Sequence, residues 1–175
     1  MTEIKNKPYT MAILSGLAYG EPSEVSKKFR KHGFHSNKYC SKNGAQCYIV
    51  WNDTDAVICF RGTEPKEMSD IKADLNAIQR QGLHNKGDVH GGFQGEINKI
   101  WDLIIEKVNE LSGQKIYITG HSLGGAMATI CAKRLQEQQV EVQCLYTYGS
   151  PRVGDRRWVK SLQIPHYRFQ NNNDV

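Results

Sequence analysis

The chain has 175 residues, of which 39% are hydrophobic and 23% charged, and its formal net charge at pH 7 is +5. This length and balance are typical of a soluble globular protein, and we expect a single domain over residues 1–175 with one sizeable core. The sequence has no apolar run near the ~18 residues of a membrane span and no basic–aromatic stripe for nucleic acid. Residues 1–10 are polar and contain lysines, so we expect no secretory signal there. We therefore expect no nucleic-acid partner and a cytoplasmic location, with export by a non-classical route left open.

The first half of the chain predicts two helices followed by a hairpin. A helix over residues 9–19 carries apolar residues on one face and ends at Gly20, and a poorer helix covers residues 23–35. Two strands, at residues 45–51 and 56–61, flank a polar turn and form a hairpin. Residues 62–92 contain many turn formers and are expected to be loop-rich.

The second half alternates between helical and strand patterns. A helix predicted to end at Gly113 has apolar residues at helical spacing: Ile97, Ile100, Trp101, Ile104, Val108 and Leu111. A strand over 115–119, a helix to about 138, a strand over 140–148, a short helix over 156–162 and a strand over 166–170 follow. This order predicts parallel βαβ units, so the fold class is α/β, with a mixed, mainly parallel sheet and helices on both faces.

The five cysteines indicate the redox compartment. Cys59, Cys131 and Cys144 lie in apolar runs and are expected to be small buried hydrophobes. Cys40 and Cys47 could pair, but the odd count and the lack of a leader favour a reducing compartment.

The most informative motif is Gly120-His121-Ser122-Leu123-Gly124, which fits the G-x-S-x-G nucleophile elbow. It follows a partly β-branched strand and precedes a helix of small residues. A tight strand-to-helix turn would give the serine strained dihedral angles, and side chains at the glycine positions would clash with neighbouring backbone. The turn also places the serine hydroxyl at a helix N-terminus, where backbone N–H groups favour an oxyanion.

Two backbone donors are needed to hold that oxyanion. One is the N–H of Leu123, which follows the serine. The other is expected from the loop after the strand that ends at Arg61, where Gly62 permits close approach and the Thr63 N–H and hydroxyl are within reach. The alternative is that Gly62 and Thr63 form only a turn.

At this point the chain resembles the class 3 lipases of the fungal, Rhizomucor type. The resemblance rests on six segments in family order: residues 57–63 (VICFRGT), 70–75 (DIKADL), 89–93 (VHGGF), 119–126 (TGHSLGGA), 148–155 (YGSPRVGD) and 167–175 (YRFQNNNDV). It implies an α/β-hydrolase fold and hydrolysis of acylglycerols or related esters, with no cofactor. It also assigns the nucleophile to Ser122, an oxyanion donor to Thr63 and the triad acid to Asp174.

The resemblance also locates a lid candidate directly after Thr63. Its six residues are Glu64, Pro65, Lys66, Glu67, Met68 and Ser69. This segment is polar for a lid that opens on oil, so we expect soluble esters, monoglycerides or phospholipids as substrates, with at most transient contact with a membrane or lipid droplet. The net positive charge is compatible with an anionic lipid surface, although a solvated lysine-rich surface explains it equally well.

Other polar residues compete for these roles. Asp155 also follows a strand, but its place before a short helix favours an N-cap, and the hydrolase chain order favours Asp174 as the acid. We expect His121 to be structural and His90 to pack or hydrogen-bond near the site. His32 and His35 lack acidic or cysteine partners, so we expect no metal site.

The catalytic histidine would follow Asp174 in chain order, but only Val175 does. His166 precedes the acid on a strand and is expected to be unable to reach both triad partners. Either the chain is the N-terminal piece of a longer enzyme, or it has lost hydrolytic function. The first alternative predicts weak or no esterase activity, an open sheet edge, and segment swapping or oligomerisation.

Two further functions stay open. The same acyl-enzyme chemistry could pass the acyl group to an alcohol, as in an acyltransferase. The fold could also serve a catalytically inactive lipase-like module that binds lipid or a protein partner.

Overall fold

The computed structural model describes residue 4 and residues 7–62, 79–81 (backbone only) and 87–170. These residues contain five helices: α1 (Lys7–Leu17), α2 (Pro22–Lys31), α3 (Gly91–Glu110), α4 (Leu123–Glu137) and α5 (Arg156–Lys160). They contain eight strands: β1 (Ser36–Lys42), β2 (Ala45–Trp51), β3 (Asp55–Phe60), β4 (Gln79–Gln81), β5 (Asp88–His90), β6 (Lys115–His121), β7 (Val142–Tyr148) and β8 (His166–Phe169). None of these helices is both long and apolar enough to span a bilayer.

Six strands form one mixed sheet in the order β1-β2-β3-β6-β7-β8. The first three are antiparallel neighbours, whereas β3, β6, β7 and β8 run parallel. Strands β4 and β5 form a separate antiparallel pair. These strand directions confirm the predicted mixed, mainly parallel sheet. Connections that contain helices join the parallel strands, and short turns join the antiparallel ones, as each kind of pairing requires.

The sheet is covered by helices on both faces, and β3 shows how the sequence achieves this. Its alternate residues point to opposite sides, so Ile58 and Phe60 join the core under α3 and α4. Val57 and Cys59 join the second core, under α1 and α2. All four side chains are fully buried, which explains why this strand reads as a continuous apolar run.

Strand β1 was not predicted. Its sequence SNKYCSK is mostly polar because it is an edge strand that buries only Cys40 completely. It joins β2 through a tight turn in which Asn43 and Gly44 have φ values of 50° and 86°. The Asn-Gly pair is a strong sequence signal for such a hairpin.

The five cysteines are buried as free thiols. Cys40 and Cys47, which the sequence allowed to pair, lie directly opposite each other in β1 and β2. A hydrogen bond from the Cys47 thiol lowers the pKa of Cys40, whereas burial raises the pKa of Cys47.

The register of the sheet brings the ends of its parallel strands together. Phe60 pairs with Gly120, His121 with Tyr148, and Tyr148 with Phe169. The loops after β3, β6 and β7 therefore leave the sheet at one edge. Ligand sites of open α/β sheets lie at this carboxyl edge, so it positions the candidate site.

Candidate active site

Ser122 occupies a sharp turn between β6 and α4. Its φ and ψ are 56° and −127°, a conformation that costs a non-glycine residue about 1–3 kcal/mol. The surrounding backbone holds the turn: the Ser122 N–H donates to the Tyr148 carbonyl (2.9 Å), and the Gly125 N–H donates to the Ser122 carbonyl (2.9 Å). The serine is 8% exposed at the carboxyl edge of the sheet. This is the strained strand-to-helix geometry that the motif predicted.

The glycines around Ser122 are required by close backbone approach. A Cβ on Gly124 would lie 2.5 Å from the carbonyl oxygen of Phe60, and a Cβ on Gly120 would overlap the carbonyl of Gly124. A Cβ on Gly125 would lie 2.7 Å from the Cβ of Ser150. The clash expected from the sequence at Gly120 and Gly124 is present, and Gly125 adds a close approach to the loop after β7.

The loop after β3 lies directly against the elbow. Gly62 is buried, and a Cβ there would come within 2.6 Å of the His121 carbonyl oxygen. A Cβ on Gly124 would lie 3.0 Å from the Gly62 nitrogen. Leu123 begins α4, where helix N–H groups have no intrahelical partner. The elbow and the loop after β3, which are expected to supply the oxyanion donors, are therefore in contact as far along the loop as Gly62, its last described residue.

Several predicted site residues lie outside the described residues. These are Thr63, Asp174 and the lid candidate (Glu64, Pro65, Lys66, Glu67, Met68 and Ser69). Their roles stay predictions.

Asp155, the competitor for the triad acid, caps α5. Its Oδ1 accepts a hydrogen bond from the Trp158 N–H (2.6 Å). This backbone donor holds the pKa of the Asp155 carboxyl below its usual value. The capping role that the sequence favoured is confirmed by this geometry.

We expect Asp155→Ala to lower the midpoint of thermal unfolding by about 2–4 °C, because the cap is lost. Asp155→Asn keeps a good capping side chain and should retain most of the midpoint. Because the folded-state pKa is lowered, the carboxylate's contribution is present at neutral pH and is lost as the pH falls below about 4. Calorimetry of both variants at pH 7 and pH 3 measures this, and a loss of ester hydrolysis in Asp155→Asn of the catalytically competent longer polypeptide would instead indicate a triad role.

The described histidines have separate surroundings. Nδ1 of His121 hydrogen-bonds with the Tyr19 hydroxyl (2.9 Å), which agrees with a structural role. The ring of His90 packs on Phe93 with centroids 4.3 Å apart, and both its nitrogens are buried without a hydrogen-bond partner. His32 and His35 precede β1, whose first residue Ser36 pairs with Trp51. This places them near the end of the sheet opposite the carboxyl edge. The described residues contain no cluster of three or more potential metal ligands.

His166 lies away from the elbow. It pairs with Leu145, three residues before the end of β7, and its Nε2 hydrogen-bonds with the Thr147 hydroxyl (2.8 Å). Burial, with a smaller contribution from Arg168, lowers the pKa of His166 to about 4. A ring held neutral in this position suits a structural hydrogen bond.

This pKa predicts acid sensitivity. Between pH 6.5 and about 4 the unfolded chain binds a proton at His166 that the folded chain does not. The free energy of unfolding should therefore decrease as the pH falls through this window. Urea titrations at a series of pH values should show a shallower decrease for His166→Gln, and an unchanged slope would contradict a half-buried ring that stays neutral.

Sequence reasoning missed one residue that contacts this site. Tyr19 lies 102 positions before His121 in the chain, and no local pattern indicates their contact. The only available signal was its place at the end of a predicted helix, next to Gly20.

The sheet order, the two helical layers and the elbow at the carboxyl edge are those of the α/β-hydrolase fold. The fungal lipase of a lipase–inhibitor complex superposes with a TM-score of 0.78 over 97% of this chain and 72% of that chain, at 22% identity. Triacylglyceride lipase from Rhizomucor miehei gives a TM-score of 0.77 over 95% of this chain and 70% of that chain, at 23% identity.

The family follows from the sequence. The family model described as "Lipase (class 3)" matches residues 57–175, and the chain belongs to this family. A secreted mono- and diacylglycerol lipase from Penicillium camembertii is 35% identical over 136 residues, covering 73% of this chain and 44% of the relative. Toxin TseL from Vibrio cholerae is 32% identical over 173 residues, covering 75% of this chain and 27% of the relative. The chain thus spans less than half the length of these curated relatives.

Proposed function

We propose that the chain carries the nucleophile and oxyanion hole of a carboxylic ester hydrolase that works through an acyl-enzyme, within a single domain over residues 1–175. Ser122 Oγ attacks the ester carbonyl and its proton passes to a general base. The N–H groups of Leu123 and Thr63 hold the oxyanion, and the alcohol leaves with a proton from the base. Water then releases the acid by the same path. The observation that carries this proposal is the strained backbone of Ser122, because such strain persists where function requires it.

The general base and the triad acid are the two parts of this mechanism that the geometry of the described residues does not assign. His121 and His166 are engaged with Tyr19 and Thr147, and His32 and His35 lie near the other edge of the sheet. His84 and Asp174 lie outside the described residues. We propose Asp174 as the acid, and we infer that the base belongs to polypeptide beyond this chain, with His84 and His90 as the alternatives within it.

The substrates that we propose are acylglycerols, phospholipids or small carboxylic esters. The family and its relatives support a lipid or ester substrate in general, and the polar lid candidate favours molecules dispersed in water over an oil phase. Contact with a lipid surface would then be transient. The predicted cytoplasmic location finds no support among the relatives, since the Penicillium enzyme is named as secreted.

The deciding experiment measures hydrolysis of p-nitrophenyl butyrate by this chain and by a longer natural polypeptide that contains it. We expect the chain alone to stay within about 10³–10⁴-fold of the uncatalysed rate, and the longer form to exceed it by about 100-fold or more. Each protein is compared with its Ser122→Ala variant. Equal, Ser122-dependent rates in both forms would place the base within this chain, and His84→Gln and His90→Gln would then identify it.

A catalytically inactive lipid- or partner-binding module is the second candidate, favoured by the engagement of His121 and His166 in contacts with other residues. It predicts that the longer form also gives no Ser122-dependent hydrolysis and does not react with a fluorophosphonate. Transfer of the acyl group to an added alcohol, at the expense of the free acid, would instead indicate an acyltransferase.

A further inference from the structure

One side chain outside the proposed catalytic groups contacts both halves of the candidate oxyanion site. Tyr19 follows α1, and its hydroxyl lies 2.9 Å from Nδ1 of His121, the residue before the nucleophile. A Cβ added to Gly62 would overlap the same hydroxyl. The Tyr19 hydroxyl therefore touches the elbow on one side and the loop after β3 on the other.

The backbone around Tyr19 is fixed by its own contacts. The Tyr19 N–H donates to the Gly16 carbonyl (3.2 Å), which continues the end of α1 as a turn. The Tyr48 hydroxyl on β2 donates to the Gly20 carbonyl (2.8 Å), and the neighbouring Ala18 is fully buried. The backbone is thus held on both sides of residue 19.

The ring also has polar neighbours of its own. The His121 ring lies 5.9 Å from it between centroids, and the Arg61 guanidinium lies 5.9 Å from its centroid. Arg61 directly precedes Gly62, so the loop after β3 contacts Tyr19 through a side chain as well as through its backbone. A phenol that contacts both segments can set the distance between them.

This separation matters because oxyanion donors act only when they are aimed at one point. Displacements of about 1 Å can reduce catalytic rates by about 100-fold. Ser122 is also strained, and a strained residue keeps its conformation only when the surroundings determine it.

We propose that Tyr19 is a positioning residue, which holds the His121–Ser122 turn and the Arg61–Gly62 loop in register through its hydroxyl. This rests on the proposed ester hydrolase function of Ser122. Because Tyr19 would act through His121 and the loop after β3, loss of its hydroxyl should lower kcat and leave KM nearly unchanged.

The test variant is Tyr19→Phe, which removes only the hydroxyl oxygen, in the catalytically competent polypeptide that contains this chain. We expect kcat for p-nitrophenyl butyrate to fall about tenfold, the effect of one lost hydrogen bond of about 1.4 kcal/mol. In a His121→Leu background the same substitution should cause no further loss, because the partner is already gone. The matched control is Tyr39→Phe, which removes a phenol hydroxyl on the edge strand β1 and should leave kcat within about twofold.

A second readout does not depend on activity. Hydrogen exchange of the peptide spanning residues 119–126 should be about tenfold faster in Tyr19→Phe than in the parent protein and unchanged in Tyr39→Phe. If Tyr19→Phe exchanges faster but the parent protein hydrolyses no ester, the proposed function is contradicted and the positioning role is supported. Equal kcat and equal exchange in Tyr19→Phe and the parent would overturn the positioning role.

Discussion

Gly124→Ala is expected to destabilise the folded chain by more than about 4 kcal/mol, or to prevent folding of the elbow. The added methyl group would lie 2.5 Å from the Phe60 carbonyl oxygen, 2.9 Å from the Arg61 carbonyl carbon and 3.0 Å from the Gly62 nitrogen. All three atoms belong to backbone, so no side-chain rotation can relieve the clash. Urea unfolding followed by circular dichroism measures the loss.

The matched control is Gly16→Ala. Gly16 lies in α1, and a Cβ there would have no neighbour within 4 Å. Replacing an unstrained helical glycine by alanine is expected to stabilise the fold by about 0.5–1 kcal/mol. Changes of opposite sign in the free energy of unfolding would support close backbone approach at the elbow. Similar small changes in both variants would show that the loop after β3 does not lie against it.

Ser122→Gly is expected to remove activity while raising stability. Loss of the nucleophile should lower ester hydrolysis by the competent form by about 10³-fold or more. Glycine adopts a φ of 56° without the penalty that serine bears, so the unfolding free energy should rise by about 1 kcal/mol after the entropy cost of glycine. The two effects are measured on the same preparation by hydrolysis and by urea titration.

Ser122→Ala separates the two contributions. Alanine also lacks the hydroxyl but keeps a Cβ at positive φ, so activity should be lost without the gain in stability. A glycine variant no more stable than the alanine variant would contradict a strained serine. Either variant retaining the parent's rate would contradict Ser122 as the nucleophile.

The parts of the fold that the sequence predicted are those whose signals are local. The helix that became α3 has isoleucines at helical spacing, and β3 and β6 are apolar runs next to turn residues. Strand β1 was missed because its edge position permits Ser, Asn and Lys at most sites, so it shows no hydrophobic pattern. Strand β5 was missed because three residues are too few to show a period.

The elbow was predictable for a different reason. The glycines at 120 and 124 and the serine at 122 occur within five residues, and each is required by backbone geometry at its own position. The contact between Tyr19 and His121 was not predictable, because it depends on how α1 packs across the sheet. Residues brought together by tertiary packing leave no spacing in the sequence.

The most direct measurement is a crystal structure of the catalytically competent polypeptide that contains this chain, after reaction with a small fluorophosphonate. We expect phosphorus bonded to Ser122 Oγ and its free oxygen about 3 Å from the backbone nitrogens of Leu123 and Thr63. An adduct on another residue would contradict the proposed ester hydrolase function. A phosphonyl oxygen that points to solvent, with the loop after β3 displaced from the elbow, would also contradict it.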